Sequence, residues 1–306
     1  MGSNNLKKQK TTITDELEIY NERIQKVKTE DKLSFLYSQF EDTIFLKNIT
    51  LAQYNELLFK FNNKVKSITK DSFSINNKKV YYSTIDQKQY QEFIKQLIQK
   101  ANPAVQEESK NECIHFLSVL YEHLSNYNPD YDGFIQKEGV YKISLIPLGL
   151  LFCKATQFEK LKFFFDFYKV ENTLVIDSYI NYLLKHLVFI STYSLSYFVC
   201  EKNQFDFNEV CEDRVNDYDK NINEKRYLSL FARVNERNKL LDIVEYLIIG
   251  YNFAQLNDEN IKKIQLCQLT WDSFFDIYKN KHNEFWIFSS FLIRDFISSH
   301  YSKNAV

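Results

Sequence analysis

A chain of 306 residues is long enough for one large core or for two to three small ones. Its 39 basic and 40 acidic residues nearly cancel, so the net charge carries no footprint for nucleic acid or an anionic membrane. Only 5 Gly and 3 Pro occur, too few for glycine-rich phosphate cradles or many-turned β architectures, and an all-α fold is expected.

The first twelve residues are polar, with Lys7, Lys8 and Lys10, and read as a disordered tail. Met1-Gly2-Ser3-Asn4-Asn5-Leu6 has leucine where an acylation motif wants Ser or Thr, and no secretory signal is read there. Thr14 is the expected N-cap of a helix through Lys28 that carries Leu17, Ile24 and Val27 on one face. Beyond it a pattern repeats. An apolar, strand-like residue is followed five places later by an apolar or aromatic one, then by two more, as in Ile49, Tyr54, Leu57, Leu58 and Ile85, Tyr90, Phe93, Ile94. Further copies are Ile135, Val140, Ile143, then Val175, Ile180, Leu183, Leu184, then Ile222, Tyr227, Leu230, Phe231. The last and loosest is Leu266, Trp271, Phe274, Phe275.

The central copy follows Asn128-Pro129-Asp130-Tyr131-Asp132-Gly133-Phe134-Ile135. Oxygen-bearing side chains at alternate places, glycine sixth and an apolar residue eighth make the first two-thirds of the twelve-residue calcium loop of an EF-hand. Asn128, Asp130, Asp132, the Phe134 carbonyl and Gln136 are the candidate ligands. Leu120, Leu124 and Tyr127 form the apolar stripe of an entering helix, with Ser109-Lys110-Asn111-Glu112 as the capping box that starts it. Val140 and Ile143 are expected to begin the exiting helix. Gly139 stands twelfth, where a bidentate glutamate is wanted, so any calcium site belongs to the ~10⁻⁴–10⁻³ M class. Asp217, Asp219 and Asn221 form a second candidate, but Ile222 in eighth place puts Arg226 twelfth, which suits a solvated acidic turn better. The loop at Asp42 has Ile44 and Leu46 at ligand places, and the one at Lys78 begins with a cation.

A single hand cannot bury its own apolar face, so six half-hands imply three pairs joined by short β contacts. The expected organisation is the tail at 1–12, a degenerate pair at 13–100, a central pair at 101–190, and a last pair with a closing helix at 191–306. Cys113–Tyr121, Leu151-Phe152-Cys153-Lys154-Ala155 and Phe158–Tyr168 resemble the EF-hand region of the dystrophin and dystrobrevin family. That resemblance, over about a quarter of the chain, implies degenerate hands that act as a folded platform for a partner protein.

The remaining constellations are poor in chemistry. The five cysteines, Cys113, Cys153, Cys200, Cys211 and Cys267, are odd in number and without zinc or redox spacing, as expected of reduced thiols. The five histidines do not pair at helical spacing, and no Rossmann or P-loop glycines occur. Three apolar runs, Ile143–Cys153, Leu187–Cys200 and Phe285–Ile297, fall short of the ~20 residues of a membrane span. The helix expected at Glu284–Ser299 is apolar over more than one face through Phe285, Trp286, Phe288, Phe291, Leu292, Phe296 and Ile297. It reads either as a core helix or as a built-in ligand of an EF-hand groove. The function expected from all this is a non-enzymatic adaptor or structural subunit of a larger protein assembly. A cytoplasmic setting, cytoskeletal or ciliary and with microtubule-type partners, goes with it. No cofactor is required, calcium being the one candidate. The alternative is a calcium sensor working through the loops at 128–139 and 215–226.

Overall fold

Tyr37 and Phe40, neighbours on one face of α1 (Lys32–Glu41), turn inward together, and the 3₁₀ segment Phe45–Asn48 follows them with Phe45 and Leu46. The computed structural model describes residues 32–60, 74–75, 78–79, 84–101, 106–128, 133–134, 139–170, 173–175, 178–211, 268–272, 275 and 288–301. The tail at 1–12, the helix from Thr14 to Lys28, and the half-hand at Ile222, Tyr227, Leu230 and Phe231 lie outside these residues. The described part is mostly helical, in keeping with the all-α expectation.

Helix α2 (Leu51–Lys60) leads to the hairpin of β1 (Ser74–Ile75) and β2 (Lys78–Lys79). Then come β3 (Thr84–Ile85), α3 (Gln87–Lys100), α4 (Glu107–Asn126), and the hairpin of β4 (Tyr127–Asn128) with β5 (Gly133–Phe134). β6 (Val140–Tyr141) opens α5 (Lys142–Phe152), which α6 (Gln157–Tyr168) follows. β7 (Lys169–Val170) and β8 (Thr173–Val175) form a third hairpin before α7 (Ser178–Phe189). A π-turn (Ile190–Ser194) joins α7 to α8 (Leu195–Lys202), and α9 (Phe207–Cys211) follows. β9 (Gln268–Thr270) adds to β8, and α10 (Ser290–Tyr301) is the last helix described.

Reciprocal caps start three of these helices. Thr50, Asp86 and Thr156 each accept from the backbone N–H three residues on. Gln53, Gln89 and Glu159 each reach back to the cap residue's own N–H. Two of the four donors that a helix start leaves orphaned are thereby satisfied. The capping box expected at Ser109 is not where α4 begins. The helix starts three residues earlier, after Gln106, and Glu107 and Glu108 occupy its first turn, where the helix dipole favours negative charge.

The helix starts meet across short β contacts, but not in sequence order. Ile85 lies opposite Val140 in an antiparallel pair, across the boundary expected near residue 100. Ile49 instead accepts from the Lys154 N–H, and Leu51 N–H donates to the Lys154 carbonyl, tying α2 to the end of α5. Val175 pairs with Gln268. Val140 is therefore a strand residue, and the exiting helix begins at Lys142. The buried residues from Tyr37 to Ile297 form one connected core. Gly149 allows α2 and α5 to touch: a Cβ there would lie 2.5 Å from the Tyr54 ring, whose hydroxyl donates to the Leu145 carbonyl at 2.8 Å.

The segment Leu183–Lys202 is long and apolar enough to cross a membrane by length and composition, because the π-turn makes one continuous rod of α7 and α8. Of that window 89 % is buried inside this fold, against α5, α1 and α10. At the π-turn the Leu195 N–H reaches back to the Ile190 carbonyl instead of stopping at Ser191, as an α-helix would. Arg294 of α10 takes the Ser191 carbonyl with Nη1 at 3.0 Å. Its Nη2 lies 2.8 Å from Glu41 Oε1, and its guanidinium stands 4.1 Å above the Tyr37 ring.

Two outcomes are expected. Gly139 has φ +99°, and a Cβ there would come within 2.6 Å of the Ile85 carbonyl oxygen. Gly139→Ala should therefore lower stability in urea by about 1–3 kcal/mol. Arg294→Met leaves Glu41 as a largely buried carboxylate without its cation, and a loss of about 3–5 kcal/mol is expected in the same measurement. The double variant with Glu41→Gln should lose less than the two single losses added together.

Candidate functional site

Helix α4 ends at Asn126, two residues before the start of the expected calcium loop. Asn128 and Gly133 then face one another in an antiparallel pair, with Tyr127 opposite Phe134. Asp130, Asp132 and Gln136 lie outside the described residues, as do Ile135, Asp217, Asp219 and Asn221. Among the described residues no three His, Cys, Asp or Glu side chains cluster as metal ligands would. Gly139, twelfth in the expected loop, serves backbone geometry: it carries the chain past the Ile85 carbonyl into β6.

A different group of residues comes together where α1, the α5–α6 junction and the approach to α10 meet. They line a solvent-open cavity of about 210 Å³. Its apolar wall is Leu151, Phe152, Phe288 and Phe291. The polar lining comes from Glu41, Lys47, Gln157, Lys160, Ser289 and Ser290. Lys160 is only 6 % exposed, and its Nζ donates to the carbonyls of Leu151 and Phe288, each at 3.4 Å. No carboxylate among the described residues lies within ion-pair distance of it. The nearest acidic neighbour in sequence, Glu159, is engaged in the α6 cap with Thr156. Glu41 Oε1 already accepts from Arg294 and from the Ser290 hydroxyl at 2.7 Å. Gln157 Oε1 is buried with no hydrogen-bond partner among the described residues.

Burial sets the chemistry of this corner. It pulls the Lys160 amine down to about 8, a drop that the neighbouring Cys153 partly opposes. It pushes the Cys153 thiol upward, so that side chain is neutral at physiological pH. A second, half-buried group, His123, is ringed by Tyr193, Tyr197 and Phe189, and desolvation depresses it to about 4. Its Nδ1 lies 3.3 Å from the Ser194 hydroxyl at the π-turn, so it is a core-satisfied histidine.

Neither Lys160 nor Gln157 was among the residues that spacing singled out. One clue was present. Lys160 precedes Phe164 by four residues and so shares the face that α6 buries, where a solvated lysine is not expected. No protein-family model, curated protein or solved structure matches the chain.

The titration of Lys160 gives a test with a definite sign. The unfolded chain holds the proton up to the ordinary lysine value of 10.5, whereas the folded chain releases it near 8. The unfolded state thus binds more protons between those values, and stability rises with pH across that window. The drop corresponds to about 3 kcal/mol against the folded ammonium. Lys160→Met should therefore be more stable than the parent chain in urea at pH 7, and the gap should narrow toward pH 10. A gap that stays constant with pH would mean that Lys160 is solvated.

Proposed function

We propose that the chain is a helical adaptor or structural subunit of a larger protein assembly, built on EF-hand-like pairing of helix starts and fixed in one conformation. The observation that carries the reading is the contact of Ile85 with Val140, each leading directly into a helix, with Gly139 pressed against the Ile85 carbonyl. Paired hands meet through such a short antiparallel contact. The Thr50–Gln53 and Asp86–Gln89 caps add to it. In both, the residue in the twelfth place of the expected loop turns back onto its helix start. Such a loop holds its shape through its own backbone and needs no ion. The closing helix supports the reading further, since α10 is held within the fold by Arg294 and so behaves as a permanent element. A cytoskeletal or ciliary assembly suits such a platform by fold-level analogy.

The test is gel filtration of native extract with calcium at ~1 mM, near the weak end of EF-hand affinity, and again with a chelator. The chain is expected well above its own 36.7 kDa in both. Elution as a free chain would remove the assembly reading. A calcium-dependent rise in melting temperature that Asp130→Ala with Asp132→Ala abolishes would replace the fixed adaptor by a sensor.

A further inference from the structure

Keeping an ammonium out of water is costly unless an anion or several good acceptors replace the lost hydration. Lys160 has two neutral carbonyl acceptors at 3.4 Å, the long end of hydrogen bonding, and the cavity beside it. The other charges around that cavity do not supply the missing anion. Glu41 is committed to Arg294 and Ser290, and Lys47 at the rim adds a second cation, with Asp42 3.8 Å from it. Lys160 is also the fourth residue of α6, so the positive end of that helix lies on the same side, partly offset by the Glu159 cap. The corner is therefore electropositive, with aromatic and aliphatic carbon along part of its wall.

We infer that this cavity is a binding site for a small organic carboxylate. The carboxylate head would replace the missing counter-charge at Lys160 Nζ, and the apolar body would lie against Leu151, Phe152, Phe288 and Phe291. Size limits the class. An apolar cavity of about 150 Å³ accepts benzene, so 210 Å³ suits a single ring with its carboxylate or an acid of about six carbons. It is below the range of drug-sized pockets, about 300–1,000 Å³. The unpartnered Gln157 Oε1 wants a donor, which selects a ligand bearing a hydroxyl as well. Amines are rejected by Lys160, and inorganic anions gain nothing from the apolar wall. This site is separate from the Ile85–Val140 contact, and its test does not depend on the assembly reading.

Isothermal titration of the full chain with benzoate, hexanoate, the three monohydroxybenzoates, benzyl alcohol and inorganic phosphate decides the matter. Benzoate or hexanoate should bind one to one, with benzyl alcohol and phosphate at least tenfold weaker. One hydroxybenzoate should bind more tightly than benzoate. Lys160→Met and Lys160→Gln, checked for folding by circular dichroism, should lose benzoate affinity tenfold or more and keep that for benzyl alcohol. Lys47→Ala at the rim should change benzoate binding less than threefold. Absence of carboxylate binding, equal affinity for benzyl alcohol or phosphate, or a loss confined to Lys47→Ala would each overturn the inference. If no hydroxybenzoate improves on benzoate, the role assigned to Gln157 falls.

Discussion

Arg294 binds three distant parts of the chain with one planar group. Its guanidinium has five donors in a fixed fork, so it can satisfy a carboxylate and a backbone carbonyl at once while its face rests on an aromatic ring. Glu41, Ser191 and Tyr37 provide those three surfaces. The Ser191 carbonyl is within reach because the Leu195 N–H bonds one residue further back, to Ile190. Here an insertion in the helical ladder has a packing role: it presents a backbone acceptor on the side of the rod that α10 covers. Glu41 is also a wall of the cavity, and α10 follows directly on Phe288, whose carbonyl holds Lys160. The ion pair therefore places the cavity as well as the closing helix.

Local pattern was legible wherever a residue's role depends on its near neighbours. The apolar sets Tyr54, Leu57, Leu58 and Tyr90, Phe93, Ile94 are buried as their spacing requires. So are Leu183 and Leu184 of α7. Gln53 and Gln89 close the two loops that ligand count excludes from calcium binding, and Thr50-x-x-Gln53 and Asp86-x-x-Gln89 spell the capping boxes that they form. Which helix start meets which was not legible. A strand-like residue before a helix announces that it will pair, but its partner is fixed by packing at long range. Ile85 with Val140 and Ile49 with Lys154 are such choices. Gly139 looked like a missing ligand because the frame was counted from Asn128, while its φ of +99° and its neighbour Ile85 give it a steric reason that no motif encodes.

The closing helix shows the same limit from the other side. Its carbon-rich faces announced burial, and Phe288, Ile293 and Ile297 are fully covered. Arg294, which reads as the polar interruption of that helix, is itself 2 % exposed and makes its most specific contacts. A buried arginine is tolerable only where a carboxylate waits, and nothing near residue 294 in sequence hints that Glu41 is the one. The role of Lys160 is hidden in the sequence for a related reason. Lysines on amphipathic helices usually bury their stems and keep the charge in water, so its position on the covered face decides nothing until the carbonyl of Phe288 arrives from 128 residues away.

The two cations differ in a way that bears on function. Arg294 has a carboxylate, a backbone carbonyl and an aromatic face against it and fixes the architecture. Lys160 has two long carbonyl contacts and a cavity beside it. A chain that served only as a frame would gain stability by exchanging such a lysine for an apolar side chain, because a buried charge without its counter-ion weakens the fold. An anion arriving in the cavity beside it would supply that counter-ion. The same anion would touch the α5–α6 junction and the approach to α10 together, so its binding free energy would add to the stability of the closed arrangement in proportion to its concentration. A bound acid would then act as a further clamp on the helix that Arg294 already holds.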